Sequence, residues 1–296
     1  MTDAPGQGRL EAGFAWPSGV TAAACFTFDV DAESAILAAD PASASRRSVM
    51  SHQAYGPRTG VPRLLGVLDR TGIRATFFVP GYTAERWPAV IRSIRDAGHE
   101  IAHHGYLHES VAALSPETEE AVLVRGLAAL DAAAGAVPSG WRAPMWEASW
   151  SSAELLKRHG FRYDSSLMDS DLPYQLAVGD TGSIVELPIH WSLDDWEPYV
   201  YLPDLSGSGA IASPAHLAAR WVLELDAMAA AGGLFNLTNH PFVSGRPSRA
   251  DALEGLIRHA QAIEGLWIAT CDEVARWVEQ LPLTPIADER PVVAAD

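Results

Sequence analysis

The stretch FTFDVDAES, residues 26–34, closes an apolar run and then places two carboxylates one residue apart. The preceding TAAAC, residues 21–25, extends the apolar part, so the segment is typical of a buried strand. Side chains two apart in a strand share a face, and we expect Asp29 and Asp31 to lie side by side. Two like charges that close repel unless a cation, a shared proton or water relieves them. The pair is therefore either a solvated strand end or part of a functional site.

The composition is that of an ordinary globular protein and narrows the class of partner. Of 296 residues, 48% are hydrophobic and 20% charged, which supplies enough apolar material for a core. The net charge of −16 and the pI near 4.9 argue against nucleic acid and anionic membranes, because both bind basic surfaces. Cys25 and Cys271 belong to no disulfide or metal motif, and we expect buried reduced thiols.

The chain shows no segment expected to export or anchor it. Residues 1–20 contain an early Asp, with Gly and Pro throughout, and no apolar run of signal-peptide length. No run of about 18 apolar residues predicts a transmembrane helix. We therefore expect a cytoplasmic protein whose substrate is a small molecule present in the cell, rather than an assembled extracellular polymer.

Apolar runs and helical patterns alternate along the chain. Helical segments that end at Gly72 and Gly98 precede the strand-like runs IRATFFVPG and HEIAHHG, and each Gly suits the left-handed backbone of a helix C-cap. The same order repeats to give roughly seven strand–helix units. This pattern predicts an α/β fold, a distorted (β/α) barrel of about seven parallel strands. No Gly-x-Gly-x-x-Gly follows a strand, which disfavours a dinucleotide-binding fold.

A single catalytic domain is predicted over residues 13–282, with flexible tails at residues 1–12 and 283–296. Within the domain, three connections are too long to be simple turns. They span residues 32–60, 167–183 and 192–212. Long connections in a compact domain are usually functional, and those that follow barrel strands share one face.

Polar side chains that could bind a metal or transfer a proton recur where the predicted strands end. They are Asp29, Asp31, His104, His108, Arg142, Asp164 and His240. Because the carboxyl ends of parallel strands share one face of a barrel, we expect these side chains to meet in one site. His99 and His103 lie at the start of their strand and on its opposite face, and are predicted to be structural.

The segment His104-Gly-Tyr-Leu-His108 separates two imidazoles by four residues, a spacing that one helical turn brings to a common side. This pattern alone is a weak metal signal, but a carboxylate from the first strand completes a set of two nitrogens and one oxygen. Three protein ligands leave a position open for water and substrate, as in catalytic sites. One of Asp29 and Asp31 would bind the ion, and the other would be free to handle a proton.

Five motifs, in this order, resemble those of the polysaccharide deacetylase family, carbohydrate esterase family 4. They are TFDVD, HHGYLH, WRAP, YDSSL and NHP. The chain is most similar to the cytoplasmic bacterial subgroup, which includes peptidoglycan-deacetylase-like proteins and relatives that hydrolyse cyclic amides such as allantoin and imides. The resemblance implies one divalent metal, zinc first with cobalt, nickel or manganese as alternatives, and a homo-oligomer.

The resemblance also implies roles for the residues of the first two motifs. Asp29 would be the general base. The metal ligands would be Asp31, His104 and His108. The common family motif has adjacent aspartates, whereas Val30 separates the two here. This departure suits the cytoplasmic subgroup and argues against a simple chitin or cell-wall-polymer substrate.

The later motifs supply the remaining catalytic candidates by the same resemblance. Arg142 would orient Asp29, and His240 would be the general acid. Asp164 would steady His240. In such a site the base activates water, the metal polarises the amide carbonyl, and the acid protonates the leaving nitrogen.

Five residues near the predicted mouth are candidates for substrate binding. They are Tyr55, Arg58, Trp146, Trp191 and Asp195. Arg58 would either clamp a carbonyl or carboxylate of the substrate or remain a solvated loop arginine. The tryptophans, with Trp196, would either stack on a sugar or flat ring or serve in packing. Asp194, next to Asp195, is predicted to face solvent.

The sequence thus predicts a metal-dependent hydrolase of carbon–nitrogen bonds other than peptide bonds. The first hypothesis is a deacetylase of an N-acetylated sugar or another small N-acyl compound. The second is ring opening of a cyclic amide or imide, and the third is a non-catalytic binding protein. A binding protein needs no base beside a metal, so the complete set of candidates argues against the third.

Overall fold

The computed structural model describes residues 13–180, 182–207 and 209–291, and its framework is one curled, mostly parallel sheet. The predicted tail at residues 1–12 lies outside the described ranges. The strands are β1 (Ala22–Asp29), β2 (Thr76–Val79), β3 (Glu100–His103), β4 (Gly140–Trp141), β5 (Tyr163–Asp164), β6 (Tyr174–Ala177), β7 (Ser183–Glu186), β8 (Leu234–Asn239) and β9 (Leu266–Ile268).

The helices alternate with the strands, as the sequence predicts. The α-helices are α1 (Ser34–Ala39), α2 (Arg47–Tyr55), α3 (Val61–Thr71), α4 (Gly81–Arg86), α5 (Pro88–Asp96), α6 (Pro116–Ala134), α7 (Ser152–Arg158), α8 (Trp196–Tyr199), α9 (Pro214–Ala231), α10 (Pro241–Ser244), α11 (Pro247–Ala262) and α12 (Cys271–Val278). Short 3₁₀ turns occupy Pro41–Ser45, Val111–Ala113, Pro144–Trp146 and Trp191–Leu193, and a π turn occupies Gly56–Gly60. Within the described residues, none of these helices is long and apolar enough to span a bilayer.

The strand order is β6-β7-β5-β4-β3-β2-β1-β8, with β9 paired to the first residues of β1. All pairs are parallel except β6 with β7, which are antiparallel. The sheet is therefore a half-barrel rather than a closed ring of about seven parallel strands. The α/β barrel prediction is confirmed in this form, and the antiparallel strand β6 lies in the connection that the sequence analysis treated as a loop.

Strand β1 lies next to the last strand of the order, β8, and all eight of its residues are buried. Its neighbours are β8 on one side and β2 and β9 on the other. Phe28 stacks on Phe77 of β2 with ring centroids 4.8 Å apart, and Phe26 contacts Phe235 of β8 edge-on. This packing fixes the end of β1, and with it the position of Asp29.

The predicted long connection at residues 32–60 is largely helical and not a loop. Its apolar side chains explain the difference: Ile36 of α1 and Val49 of α2 are buried in the main hydrophobic core. The π turn at its end packs so closely on α10 that a Cβ at Gly60 would overlap the carbonyl of Pro241. The connection is therefore a packed part of the domain and not a surface loop.

The C-terminal segment is partly tied to the sheet. The Ile286 N–H donates to the Gln175 carbonyl and the Ala177 N–H donates to the Ile286 carbonyl, both at 2.8 Å. The part of the predicted flexible tail around residue 286 is thus paired with β6, and residues 292–296 lie outside the described ranges. Cys25 and Cys271 are both buried and free, which confirms that expectation.

Two glycines in regular elements lead to opposite predictions for stability. A Cβ at Gly140 of β4 would overlap the buried Tyr163 ring, so Gly140→Ala should lower the free energy of unfolding by about 1–3 kcal/mol. A Cβ at Gly255, within α11, meets nothing within 4 Å, so Gly255→Ala should raise it by about 0.5–1 kcal/mol. Urea unfolding of both variants measures the changes, and a Gly140→Ala protein as stable as the wild type would contradict this packing.

Candidate active site

The carboxyl ends of β1, β3, β4 and β8 bring the main sequence candidates together. They are Asp29, Asp31, His104, His108, Arg142 and His240, and all are buried. They lie at or just beneath one end of a cavity of about 640 Å³. The structure thus brings together six of the seven predicted strand-end side chains, and Asp164 is the exception.

Asp31 lies between the two histidines of the second motif. His104 Nε2 is 3.6 Å from Asp31 Oδ1, and His108 Nε2 is 3.6 Å from Oδ2. The Asp31 carbonyl accepts hydrogen bonds from the Ser34 and Thr83 hydroxyls, both at 2.7 Å, which fix the turn after β1. Its two carboxylate oxygens are buried and have no hydrogen-bond partner among the described residues. A buried carboxylate is costly without compensation, so this one calls for a cation.

The two histidines do not lie on a helical turn, contrary to the geometry suggested by their spacing. Residues 104–108 form an irregular bend with positive φ at Gly105 (71°) and His108 (64°). A Cβ at Gly105 would crowd Pro144 at 3.0 Å and Glu109 at 3.3 Å. His108 is not a glycine, so its left-handed backbone stores strain, which is typical of functional sites.

His104 is held in the form that can bind a cation. Its Nδ1 lies 2.8 Å from the Arg142 carbonyl. Because a carbonyl only accepts, Nδ1 carries the proton and Nε2 presents a lone pair towards Asp31. Burial lowers the pKa of His104 to about 3, despite the nearby charge of Asp31. The imidazole is therefore neutral at physiological pH.

Arg142 is fully buried and orients Asp29. Its Nη1 donates to Asp29 Oδ1 at 2.9 Å, and its guanidinium carbon lies 4.0 Å from the Phe78 ring centroid. Its other acceptors are Thr27 Oγ1, Thr238 Oγ1, and the carbonyl and Oγ of Ser165. With Oδ1 so engaged, Asp29 Oδ2 is the oxygen that approaches His104 Nε2, at 3.8 Å.

His240 faces the same centre from β8. Its Nδ1 is 2.6 Å from Asp195 Oδ1, and its Nε2 is 3.6 Å from Asp31 Oδ2. Asp195 is fixed in turn by the His240 N–H and the Ser244 hydroxyl. Burial alone lowers the pKa of His240, but the charges of Asp195, Asp194 and Asp31 outweigh it and raise the value to about 10. The imidazole is therefore protonated at neutral pH.

The partner of His240 differs from the one predicted. Asp164 does not contact His240; its Oδ1 accepts from the Ser166 hydroxyl at 2.5 Å, beside Glu186 of the next strand. Burial raises the pKa of Asp164 to about 7. Asp195, which the sequence analysis placed among the substrate contacts, holds the position expected of Asp164 and lies behind the cavity wall rather than in it.

Asp194 is buried and lines the cavity, so its predicted exposure is wrong. The reason is an isolated parallel bridge between Asp194 and Thr238, which draws this segment alongside β8. Asp194 Oδ1 lies 3.6 Å from His240 Nδ1. Burial raises the pKa of Asp194 to about 7, in spite of the neighbouring His240.

Tyr55 and Arg58 do not line the cavity, which corrects their predicted role. The Tyr55 hydroxyl donates to the Gly245 carbonyl at 3.2 Å, and the exposed Arg58 lies over the Trp87 ring at 5.3 Å. Because residues 32–60 fold into helices, it is the earlier part, residues 35–39 of α1, that forms the cavity wall.

The predicted tryptophans do lie in the cavity wall. Trp146 and Trp191 stack with centroids 4.5 Å apart and planes 26° apart, and Trp196 lines the same cavity. Trp191 is 48% exposed, so its outer face is open. Met145 and Trp146 both have φ of 58°, a strained turn that sets the position of this pair.

His99 and His103 bond to the backbone, as expected of structural residues. His103 Nδ1 accepts from the Gly105 N–H at 3.2 Å, so Nε2 carries the proton and donates to the Leu123 carbonyl at 3.1 Å. His99 Nδ1 accepts from the Ala75 N–H at 3.3 Å.

Comparison with known proteins agrees with this fold. Residues 43–163 match the family model for polysaccharide deacetylase. A peptidoglycan deacetylase of Helicobacter pylori is 33% identical over 251 residues, which cover 76% of this chain and 86% of that one. A peptidoglycan deacetylase-like protein of Gibberella zeae is 31% identical over 265 residues, with 78% of each chain covered.

Solved structures show the same architecture. A Mycobacterium smegmatis protein assigned to the polysaccharide deacetylases superposes with a TM-score of 0.93 and 55% identity, covering 95% of this chain and 98% of that one. The Puue allantoinase shares the fold at a TM-score of 0.79 and 24% identity, covering 96% and 100%. The half-barrel is thus of the polysaccharide-deacetylase type. The chain belongs to the polysaccharide deacetylase family, and the resemblance inferred from its five motifs is confirmed.

The site geometry predicts that metal binding and proton transfer can be separated by mutation. Asp29→Asn should retain bound metal, because the Asp31, His104 and His108 set remains complete. His104→Ala should reduce the metal content several-fold or more, since it removes one of three ligands. Elemental analysis of the purified variants measures both, with circular dichroism to confirm folding. Equal metal loss in the two variants would contradict the separation.

Proposed function

We propose that the protein is a metal-dependent deacetylase of an N-acetylated sugar or a similar small N-acyl compound. The observation that carries the proposal is the buried set of Asp31, His104 and His108, with Asp29 on one side and a protonated His240 on the other. The names of the Helicobacter pylori and Gibberella zeae relatives support peptidoglycan-type N-acetyl groups as the chemistry to test first.

The donor set fits a divalent metal. Asp31 offers buried oxygens without hydrogen bonds, and each neighbouring histidine turns Nε2 towards it. Two nitrogens and one oxygen suit zinc best, with cobalt, nickel or manganese as alternatives. When bound, such an ion polarises an amide carbonyl and lowers the pKa of a coordinated water.

Asp29 acts as the general base in this proposal. Arg142 holds Oδ1 at 2.9 Å, so the Oδ2 side is left to accept a proton from the attacking water. The contacts of Arg142 with β1, with β8 and with Ser165, the residue after β5, hold the guanidinium and with it the carboxylate in place. A positioned proton carrier of this kind contributes roughly 10²- to 10⁴-fold in rate.

His240 acts as the general acid. Its Nε2 points to the centre and carries a proton that the leaving nitrogen can accept, without which an amine departs poorly. Asp195 fixes the ring through Nδ1, and Trp196 packs against it with centroids 5.0 Å apart. The proton donor is thus held in one orientation.

The cavity wall supports an uncharged, compact substrate. Within the described residues, its lining contains no Lys or Arg, while Glu109, Glu147, Asp194 and Glu197 contribute carboxylates. An anionic substrate would meet repulsion there. The Trp146–Trp191 pair offers an aromatic face for a sugar ring, and about 640 Å³ is within the usual range for small-ligand sites.

Ring opening of a cyclic amide is the second candidate. The stacked tryptophans and the apolar α1 wall suit a flat ring as well as a single sugar.

The single domain over residues 13–282, the cytoplasmic location and the homo-oligomer stay predictions.

The direct test incubates the purified protein with N-acetyl sugars, N-acyl amines, allantoin-like ureides and cyclic imides, with and without chelator, and analyses the products by mass spectrometry. We expect an N-acetyl sugar to yield the amine and acetate, with loss of activity in chelator. The Asp29→Asn variant tests the role of the base: its rate of hydrolysis should fall roughly 10²- to 10⁴-fold.

A compound that gains one water and loses no fragment would assign ring opening instead. Turnover that survives both the chelator and Asp29→Asn would refute the proposed mechanism.

The contacts of His240 predict a pH effect of one specific carboxylate. Asp195 raises the pKa of His240, so Asp195→Asn should lower that pKa. Activity falls at alkaline pH when the acid deprotonates, and in this variant the fall should occur at a pH about one unit or more lower. Asp164→Asn should not move this limb, because Asp164 bonds to Ser166 instead. Profiles of kcat/KM against pH measure both, and a shift in Asp164→Asn alone would contradict the assignment.

A further inference from the structure

A second cavity, of about 290 Å³, shares no lining residue with the candidate active site. Residues with polar side chains dominate its wall: His52, Tyr199, Tyr201, Arg246, Ser248 and Arg249. In a chain with a net charge of −16, two arginines that face one cleft with no carboxylate in its lining are unexpected. The proposed mechanism uses none of these residues.

Aromatic rings hold both arginines in place. The guanidinium carbon of Arg246 lies 3.5 Å from the Tyr55 ring centroid, and that of Arg249 lies 3.9 Å from the Tyr199 ring centroid. Arg249 Nη1 also donates to the Val243 carbonyl at 3.1 Å. A guanidinium stacked on a ring keeps N–H groups at its edge free for a planar partner. The two cations are therefore ordered before any ligand binds.

Neither arginine forms an ion pair within the described ranges, although the charge of Asp195 reaches Arg249. By contrast, Arg70 of α3 and Arg258 of α11 both pair with Glu254. Burial lowers the pKa of His52, and the charges of these two arginines lower it further. An anion in the cleft would relieve the repulsion between the two cations.

We propose that this cleft is a binding site for a small oxyanion, a phosphate or carboxylate group of a soluble molecule. Arginine edges match the geometry of both groups and bind them through paired hydrogen bonds. Ser248 adds a hydroxyl at the first turn of α11, a helix of 16 residues whose amino end favours negative charge.

The cleft adjoins the far side of the active-site wall. The Phe242 ring packs edge-on against the rings of His52 and Trp196, with centroids 5.2 and 5.6 Å away. The Trp196 ring packs in turn against His240, with centroids 5.0 Å apart. Tyr199, which lines the cleft, ends the short helix α8 that Trp196 begins. An anion in the cleft would thus lie beside α8, the helix whose Trp196 ring packs against His240, the proposed acid.

The test is isothermal titration calorimetry of the full-length metal-loaded protein with inorganic phosphate and, separately, with acetate, at low ionic strength in a zwitterionic buffer. We expect one saturable site. Arg246→Gln and Arg249→Gln should each weaken it by about 10- to 100-fold, the usual loss for a charge-assisted hydrogen bond. Arg258→Gln is the matched control, with the same charge change in the helix that contains Arg249, and should bind as the wild type does.

Tighter binding of phosphate would assign a phosphorylated ligand, and equal or tighter binding of acetate would assign a carboxylate. No saturable binding of either anion would overturn the proposal. So would an equal loss in Arg258→Gln, or binding that His104→Ala abolishes while the two cleft variants retain it, since the anion would then sit at the metal centre. Thermal unfolding without anion confirms that each variant is folded.

Discussion

The structure of the site depends on one buried cation, Arg142. Its guanidinium donates to a carboxylate and two hydroxyls from β1 and β8 and to both oxygens of Ser165, while its own carbonyl accepts from His104. Burying a cation is expensive unless it is paired and every N–H is used, and here the pairing is nearly complete. The same residue therefore orients the proposed base and fixes the tautomer of a proposed ligand.

Around this cation the charges do not balance without a metal. Asp29, Asp31 and Asp195 bring three negative charges into a buried region, and Asp194 is a fourth carboxyl with a raised pKa. Arg142 and a protonated His240 supply two positive charges. Asp29 and Asp195 are hydrogen-bonded to Arg142 and His240, whereas the oxygens of Asp31 accept no hydrogen bond among the described residues and His240 Nε2 stays 3.6 Å from Oδ2. The uncompensated charge lies where the two histidine nitrogens converge.

The sequence predicted those features that depend on short-range periodicity. Alternation along β1 and the parallel order of the strands were enough to place Asp29, His104, Arg142 and His240 at one end of the sheet. Asp195 was misassigned because its contact with His240 joins segments 45 residues apart in sequence through a single bridge beside it, which leaves no strand pattern to read. The sequence does not predict the helices in residues 32–60, because short helices acquire their stability from burial rather than from periodicity.

Charge also explains why two separate cavities can serve one chain. The larger one is lined by carboxylates and aromatic rings and disfavours anions, while the smaller one holds two unpaired arginines within the described ranges. The rings of Phe242 and Trp196 lie between the two cavities. Because a layer of rings screens charges far less than water does, the separation of the two sets of charges relies on distance and on the pairing of Asp195 with His240. An uncharged amide and a small anion would therefore be sorted to different sites by electrostatics alone.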